Sequence, residues 1–435
     1  MSAAPTLTAK IFIDRFLGRL FCWLLAPLVR LLGLILRRDH SVSGENVRVL
    51  AVAKYFGLGS LTQALPMLKA LKQSYPRAGL VLITRKANSE FTPFLAHLDA
   101  VLYVDDSGPL KLICSNLRLF WQLRAIRVDL FFDLELFSAY GALVSLFSLA
   151  RNRYGFFCSK DTDFKSFIYT HLMYFNFQMP VRFCYLQLAR MAGLREPAEA
   201  ELPPLAIPAS VEESARVIFR KLSKNQDDRV LGLNVNASDL SLARRWPLER
   251  FAQVAAHFAK SGFMVLLLGS PRERAYVEKI YDFIPGPYDR VINAAGLFKL
   301  GEMCATLKNL RCLLTNDTGI MNFAYAQGGR VVALFGPNTP LQYHVSAPGS
   351  VALHKDIYCS LCLYHLYAPP CHKLDCPPCM EQISAAEVIA ALEACLGHFE
   401  QPQVVAARPL FYQGDYLCGE LRRKGGHSRP ESDHA

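Results

Sequence analysis

The chain is poor in charge: 20% of its 435 residues are Asp, Glu, Lys or Arg, against 52% hydrophobic. Such a balance excludes disorder over most of the length, and only the last stretch, RRKGGHSRPESDHA, reads as a loose tail. Thirteen cysteines, odd in number and irregularly spaced, exclude a secreted disulfide scaffold and suit a reducing cytosol. No collagen, heptad or solenoid period is present, so a fold of repeated units is excluded. Helix-turn-helix, RRM and zinc-finger signatures are missing too, so nucleic acid is not an expected partner.

What is present is length enough for two to three domains at roughly 150 residues each. The 48 Lys and Arg exceed the 37 Asp and Glu by 11, which favours anionic partners such as a phospholipid surface or a phosphorylated small molecule. Residues 11 to 38 are the most apolar part, but Arg19 and Arg30 interrupt them before roughly 18 uncharged residues accumulate, so a transmembrane span is not expected. No basic region precedes them and no small-residue cleavage site follows, which argues against a secretory signal. On a helical wheel Arg15, Arg19, Arg30 and Arg37 share one face, opposite Leu, Phe and Trp23. That is the pattern of a helix lying among the headgroups of an anionic membrane surface. The competing expectation is a helix resting on the protein's own body with its arginines in water.

From Val47 onward, short β-branched runs alternate with amphipathic segments, the signature of parallel α/β layers. Strands are expected at 47–53, 79–85, 100–105 and 128–134, then at 229–235, 263–269, 311–316 and 331–336. The Pro-rich stretch at 196–210 separates the two series as a linker. Helices are expected from Ser60 as N-cap and from Pro247. The expected division is a membrane-associating segment over 1–40, Rossmann-like domains over 41–205 and 206–400, and a tail over 401–435. A ligand would sit between the two domains, at the carboxyl ends of their strands.

Three loops could carry chemistry. KYFGLGSLTQALP sets Gly57 and Gly59 between a strand and a helix; it is neither a G-x-G-x-x-G fingerprint nor a P-loop, and a structural turn explains it equally well. LLTNDTGIMNFAYAQG reads as a strand, an Asp-Thr-Gly turn and a helix whose first amides would meet a diphosphate, with plain N-capping by Asp317 or Thr318 as the alternative. NASDLSLARRWPLERF carries Ser238, Arg244 and Arg245, which could close over the same phosphates or simply be solvated.

Taken in order, KYFGLGSLTQALPMLKALKQSYPRAGL, FFDLELFSAY, RRWPLERF, NDTGIMNFAYAQG and VVALFGPNTPLQY resemble glycosyltransferase family 9, the lipopolysaccharide heptosyltransferases, over roughly residues 47 to 395. The resemblance implies the GT-B architecture, two Rossmann-like doubly wound domains with a cleft between them. It further implies an activated nucleotide sugar, typically ADP-heptose, in the C-terminal domain, a lipid-linked saccharide acceptor in the N-terminal one, and inversion at the anomeric carbon. Thr318 and Gly319 would hold the diphosphate, Asp317 would shape the turn, and Arg244 or Arg245 would replace the family's basic residue before W-P. No cofactor is required for such a transfer. A non-catalytic nucleotide-sugar or glycolipid binder of the same fold is the alternative.

Two departures bear on mechanism. Where the family reads S-L-G-D, with the aspartate as general base, this chain has Gly57, Leu58, Gly59 and Ser60. A serine hydroxyl needs a base behind it, so Glu135 is the expected replacement, with Asp133 second, unless these carboxylates only cap a helix or meet an arginine. Where the family's G-x-M-H has a histidine, Asn322 keeps a donor and loses the titratable ring. His171 is a further candidate for the acceptor side, and Asp161 and Asp163 read as an exposed polar turn. Cys359, Cys362, Cys376 and Cys379 space as C-x2-C, thirteen residues, C-x2-C, with Cys371 between, which is close to a structural zinc pattern or else a set of free thiols.

Overall fold

A computed structural model describes residues 12–37, 40–41, 47–194, 201–222, 229–237, 242–284, 289–357, 359, 362, 371 and 377–397. Two parallel six-stranded sheets carry the fold. The first holds β1 (Val49–Ala53), β2 (Gly79–Arg85), β3 (Ala100–Val104), β4 (Leu130–Asp133), β5 (Asn152–Phe157) and β6 (His171–Tyr174). The second holds β7 (Val230–Asn234), β8 (Met264–Leu268), β9 (Val291–Asn293), β10 (Cys312–Asn316), β11 (Val331–Leu334) and β12 (Val351–Leu353).

All eight strands expected from the sequence form. The four without a sequence signal are β5, β6, β9 and β12, of which the last three are sheet edges. A strand buried on both faces is a continuous apolar run, whereas β12 is half-buried along its whole length and leaves no such trace.

The strand orders are β3-β2-β1-β4-β5-β6 and β12-β11-β10-β7-β8-β9. Counted from its own first strand, each sheet is wound 3-2-1-4-5-6. Winding reverses between β1 and β4 and again between β7 and β10, and the chain opens a crevice at the carboxyl ends of those pairs. The first sheet lies within 41–205 and the second within 206–400. Between them residues 201–208 are irregular, tied back by Ala206 N–H to the Phe94 carbonyl, before the Ala209–Leu222 helix.

Both faces of each sheet are covered. In the first, the Pro109–Ile126 and Ala139–Phe147 helices place Leu119, Leu123 and Val144 on Ala51, Ala53 and Phe131. The Leu65–Ser74 and Val181–Arg190 helices cover the other face through Leu68, Leu71, Leu186 and Ala189. In the second, the Leu248–Lys260 and Ala385–Gly397 helices cover one face through Phe251, Phe258, Val388 and Leu392. Its other face shares a core with the first half: Leu61, Leu65, Phe91 and Phe94 pack among Met321, Phe323, Leu313 and Ala333. Phe91 stacks on Phe323 at 4.8 Å between centroids, worth about 0.5–1.5 kcal/mol beyond its buried area.

Two local expectations are corrected. Ser60 is not the N-cap: a helix already runs over Leu58–Gln63 from Gly57, whose φ of 83° favours glycine, and a second begins at Leu65. The N-terminal Arg19–Leu36 helix, preceded by a π-helical turn at Asp14–Gly18, does lie on the protein body, with Arg19 and Arg30 laid on aromatic rings of the body while Arg30 and Arg37 stay exposed to solvent. Arg19 stands over the Phe164 ring beside Asp161, and Arg30 lies 3.8 Å from the centre of the Phe167 ring. Cys22 and Ala26 are buried, while Phe16, Leu20, Leu24, Leu28 and Leu31 point outward and exposed. The reason is the neighbour: the Lys160–Phe167 turn offers aromatic rings and a carboxylate that arginines satisfy better than leucines would. By length and composition, Asp14–Leu36 is long and apolar enough to cross a membrane.

Candidate active site

The first switch point is built on buried charge. β4 ends at Asp133, and its Oδ1 accepts the Glu135 N–H at 3.0 Å, turning the chain so that Glu135 faces back toward β1. Glu135 Oε1 accepts from Lys54 Nζ at 2.8 Å, Tyr55 N–H at 2.7 Å and Phe56 N–H at 2.9 Å. Among the described residues no donor reaches Oε2. Asp133 is completely buried; Oδ2 accepts from the Tyr169 hydroxyl and, at 3.4 Å, from Lys165 Nζ, which also donates to the Glu135 carbonyl. Burial pushes the Asp133 carboxyl above its ordinary value, with Lys165 and Tyr169 pulling the other way. Gly141 makes this possible, because a Cβ there would lie 2.8 Å from both Asp133 oxygens.

The second switch point is built on amides and an arginine. Asn316, at the end of β10, accepts the Trp246 N–H at 3.1 Å and donates to the Asn236 carbonyl at 3.1 Å, closing the loop after β7 onto β10. Asp317 is held by Asn338 Nδ2 at 2.7 Å, and its carbonyl accepts from Arg244 Nη1 at 2.7 Å. Arg245 turns the other way, to Asn236 Oδ1 at 2.7 Å and over the Tyr276 ring. Thr318 is the N-cap of the Gly319–Ala326 helix, yet its hydroxyl accepts from Asn234 Nδ2 at 2.9 Å instead of closing the first turn. The start of that helix keeps half-exposed residues Thr318, Gly319 and Ile320, with Gly59 against one side of it. Ser238 lies outside the described residues.

The two points meet. Gln63 Nε2 donates to Asn322 Oδ1 at 2.7 Å, and Asn322 Nδ2 donates to the Thr318 carbonyl at 3.2 Å, so the buried Asn322 latches the halves together. Gly59 is required here, since a Cβ would fall 2.6 Å from Asn322 Nδ2. Tyr343 stands between the sides: burial pushes its phenol up to about 12, the charges of Asp317 and Glu135 push the same way, and the Ser60 hydroxyl and Arg244 oppose them. Tyr343 lies in VVALFGPNTPLQY with no local pattern to mark it, and only the folded contact with Ser60 singles it out. His171 is apart from this group, on the edge strand β6 and stacked on Tyr154 at 4.5 Å. Asp161 and Asp163 lie in the first turn of a capped 3-10 helix, and Asp161 meets Arg19.

Burial raises the Cys379 thiol to about 12, helped by Cys371, Cys362 and Cys359. Among the described residues no three His, Cys, Asp or Glu stand close enough together to hold a metal; Cys376 lies outside them.

A family model described as glycosyltransferase family 9 (heptosyltransferase) matches residues 116–371. The lipooligosaccharide heptosyltransferase 2 of Haemophilus influenzae is 28% identical over 134 residues, 31% of this chain and 38% of that protein. Across the first curated relatives the match spans 38–57% of their lengths. A family 9 glycosyl transferase structure from Veillonella parvula superposes with a TM-score of 0.67 at 20% identity, over 83% of this chain and all of that one. The E. coli ADP-heptose lipopolysaccharide heptosyltransferase II structure does so at 0.65 and 19%, over 81% of this chain and 100% of its own. The fold is therefore GT-B, and with more than half of its residues matched by the family model the chain belongs to glycosyltransferase family 9.

Proposed function

We propose that the chain is an inverting glycosyltransferase that carries a sugar from a nucleotide diphosphate onto a lipid-linked saccharide at the inner face of the cell membrane. Heptose from ADP-heptose onto a lipopolysaccharide core is the leading substrate pair; the E. coli enzyme of the same fold is an ADP-heptose lipopolysaccharide heptosyltransferase. The observation that carries the reading is the start of the Gly319 helix, with Thr318 not closing it and Arg244 fixed beside Asp317. Amide dipoles at that end and the guanidinium supply the positive field a departing diphosphate needs, which a metal would otherwise bring. On the facing side Glu135 is the base for the acceptor hydroxyl, positioned by Lys54 and two backbone amides, with Oε2 left to take the proton. Asp133, wholly enclosed, supports that loop from beneath. Holding both reactants between the halves supplies orientation.

The test is transfer by the purified full chain across a panel of ADP- and UDP-sugars with a core saccharide acceptor. Turnover is expected with ADP-heptose, and affinity without turnover would favour the non-catalytic binder. Glu135→Gln is expected to lower turnover by about 10²–10⁴. Unchanged turnover would end the assignment of the base. The zinc reading of Cys359, Cys362, Cys376 and Cys379 rests on spacing alone. Metal analysis after chelator-free purification tests it, and less than roughly half an equivalent counts against it.

A further inference from the structure

The Pro109–Ile126 helix buries Leu119 and Leu123 on the first sheet, yet its opposite face is also apolar. Leu110, Ile113, Leu117 and Trp121 recur at helical spacing along it and are 78%, 57%, 57% and 77% exposed. A helix that is apolar on both sides has a second environment to satisfy. This stripe is not isolated. The Ala139–Phe147 helix lies alongside, joined by the Phe120–Phe147 ring contact at 5.2 Å and a Tyr140 hydroxyl bond to Asn116 Oδ1 at 2.6 Å, and it leaves Phe147 and Leu149 exposed. Beyond it, on the same side of the sheet, lies the Arg19–Leu36 helix with its leucines outward.

The exposed charges on these helices themselves have one sign, and the nearby Asp105, Asp106 and Asp161 are paired in turn with Lys86, Arg85 and Arg19. The Pro109–Ile126 helix contains no carboxylate and exposes Lys111, Arg118 and Arg124; residues 15–36 contain none either. Asp14 is turned inward, its carboxylate accepting the Ala139 and Tyr140 N–H groups at 3.2 and 2.6 Å. Leucines and a tryptophan standing off helices whose own exposed charges are cationic match acyl chains beneath phosphates. We infer that these helices form one lipid-facing surface that seats the N-terminal half flat on an anionic bilayer, the Pro109–Ile126 stripe being its second contact. Asp14 ties that surface to the start of the Ala139 helix, a few residues after Glu135, so a lipid-borne acceptor would arrive beside the base. The purpose rests on the lipid-linked acceptor reading; the binding does not.

The test uses the full chain with phosphatidylglycerol–phosphatidylcholine vesicles. The Leu117→Glu/Trp121→Glu protein should partition at least about tenfold more weakly than the unaltered one, and Arg118→Glu/Arg124→Glu should lose the preference for anionic over pure phosphatidylcholine vesicles. In a Trp23→Phe background, brominated lipid should quench Trp121. Wild-type partitioning of the first variant, or no quenching, overturns the inference. So does a change in sedimentation velocity with vesicle binding intact, which would make the stripe a contact between copies of the chain. Transfer to a deacylated, water-soluble acceptor is read in parallel and should survive in the variants. Its absence in the unaltered protein would sink the proposed function while leaving the vesicle result standing.

Discussion

The two switch points share one winding and differ in what they enclose. The first buries a lattice of opposite charges, Lys54, Glu135, Asp133 and Lys165, with a tyrosine hydroxyl. The second uses backbone amides, three asparagines and a threonine to hold one arginine and one aspartate around a helix start. The same topology thus gives one half a carboxylate held by a lysine and two amides, the base proposed above, and the other an arginine–aspartate pair at a helix start, the proposed seat of the diphosphate. What differs is the loop chemistry, because the strand order sets where the crevice is and the loops set its sign.

The largest way to break the comparison is Asp133→Asn, which leaves Lys165 enclosed without its counterion and should cost about 3–5 kcal/mol of unfolding free energy in denaturant titration. Loss of transfer with stability intact would show that Asp133 works on substrate instead of holding its half together. Arg244→Ala comes next: donor turnover should fall about 10²–10³ while the fold, followed by circular dichroism, stays intact. The same variant at Arg245, whose guanidinium faces Tyr276, should lose less, and an equal loss would erase the distinction between them.

His344 gives a pH-dependent test. Burial, then the Arg182 charge, pushes its imidazole down to about 4, and its Nδ1 pairs with the Tyr325 hydroxyl at 2.7 Å. The folded chain keeps the ring neutral while the unfolded chain takes up a proton below the ordinary value of 6.5. Stability is therefore full above that value and falls as pH drops toward 4, by at most roughly 3 kcal/mol. His344→Gln should flatten the dependence of the urea midpoint between those limits, and an unaltered slope assigns it to other groups. The smallest effect is Gly59→Ala, whose new methyl must displace Asn322 and loosen the latch to Gln63, at a cost of about 1–3 kcal/mol. Thermal unfolding measures it, and no change would mean the halves yield easily where they meet.

The sequence by itself determined the two wound domains. Runs such as GLVLITR and VVALFG, enclosed on both faces, cannot be exposed and so announce themselves, and the Asp-Thr-Gly turn marks a helix start from local chemistry alone. Tertiary structure decided the rest. The roles of Asp133 and Glu135, two residues apart, separate only through Lys165, Tyr169 and Lys54, which come from distant parts of the chain. The choice between Arg244 and Arg245 depends on Asp317 and Tyr276, and the seating of Arg19 and Arg30 depends on rings more than a hundred residues away. Periodicity records which face of an element is apolar; which neighbour meets that face is settled by packing between segments, and no local pattern encodes it.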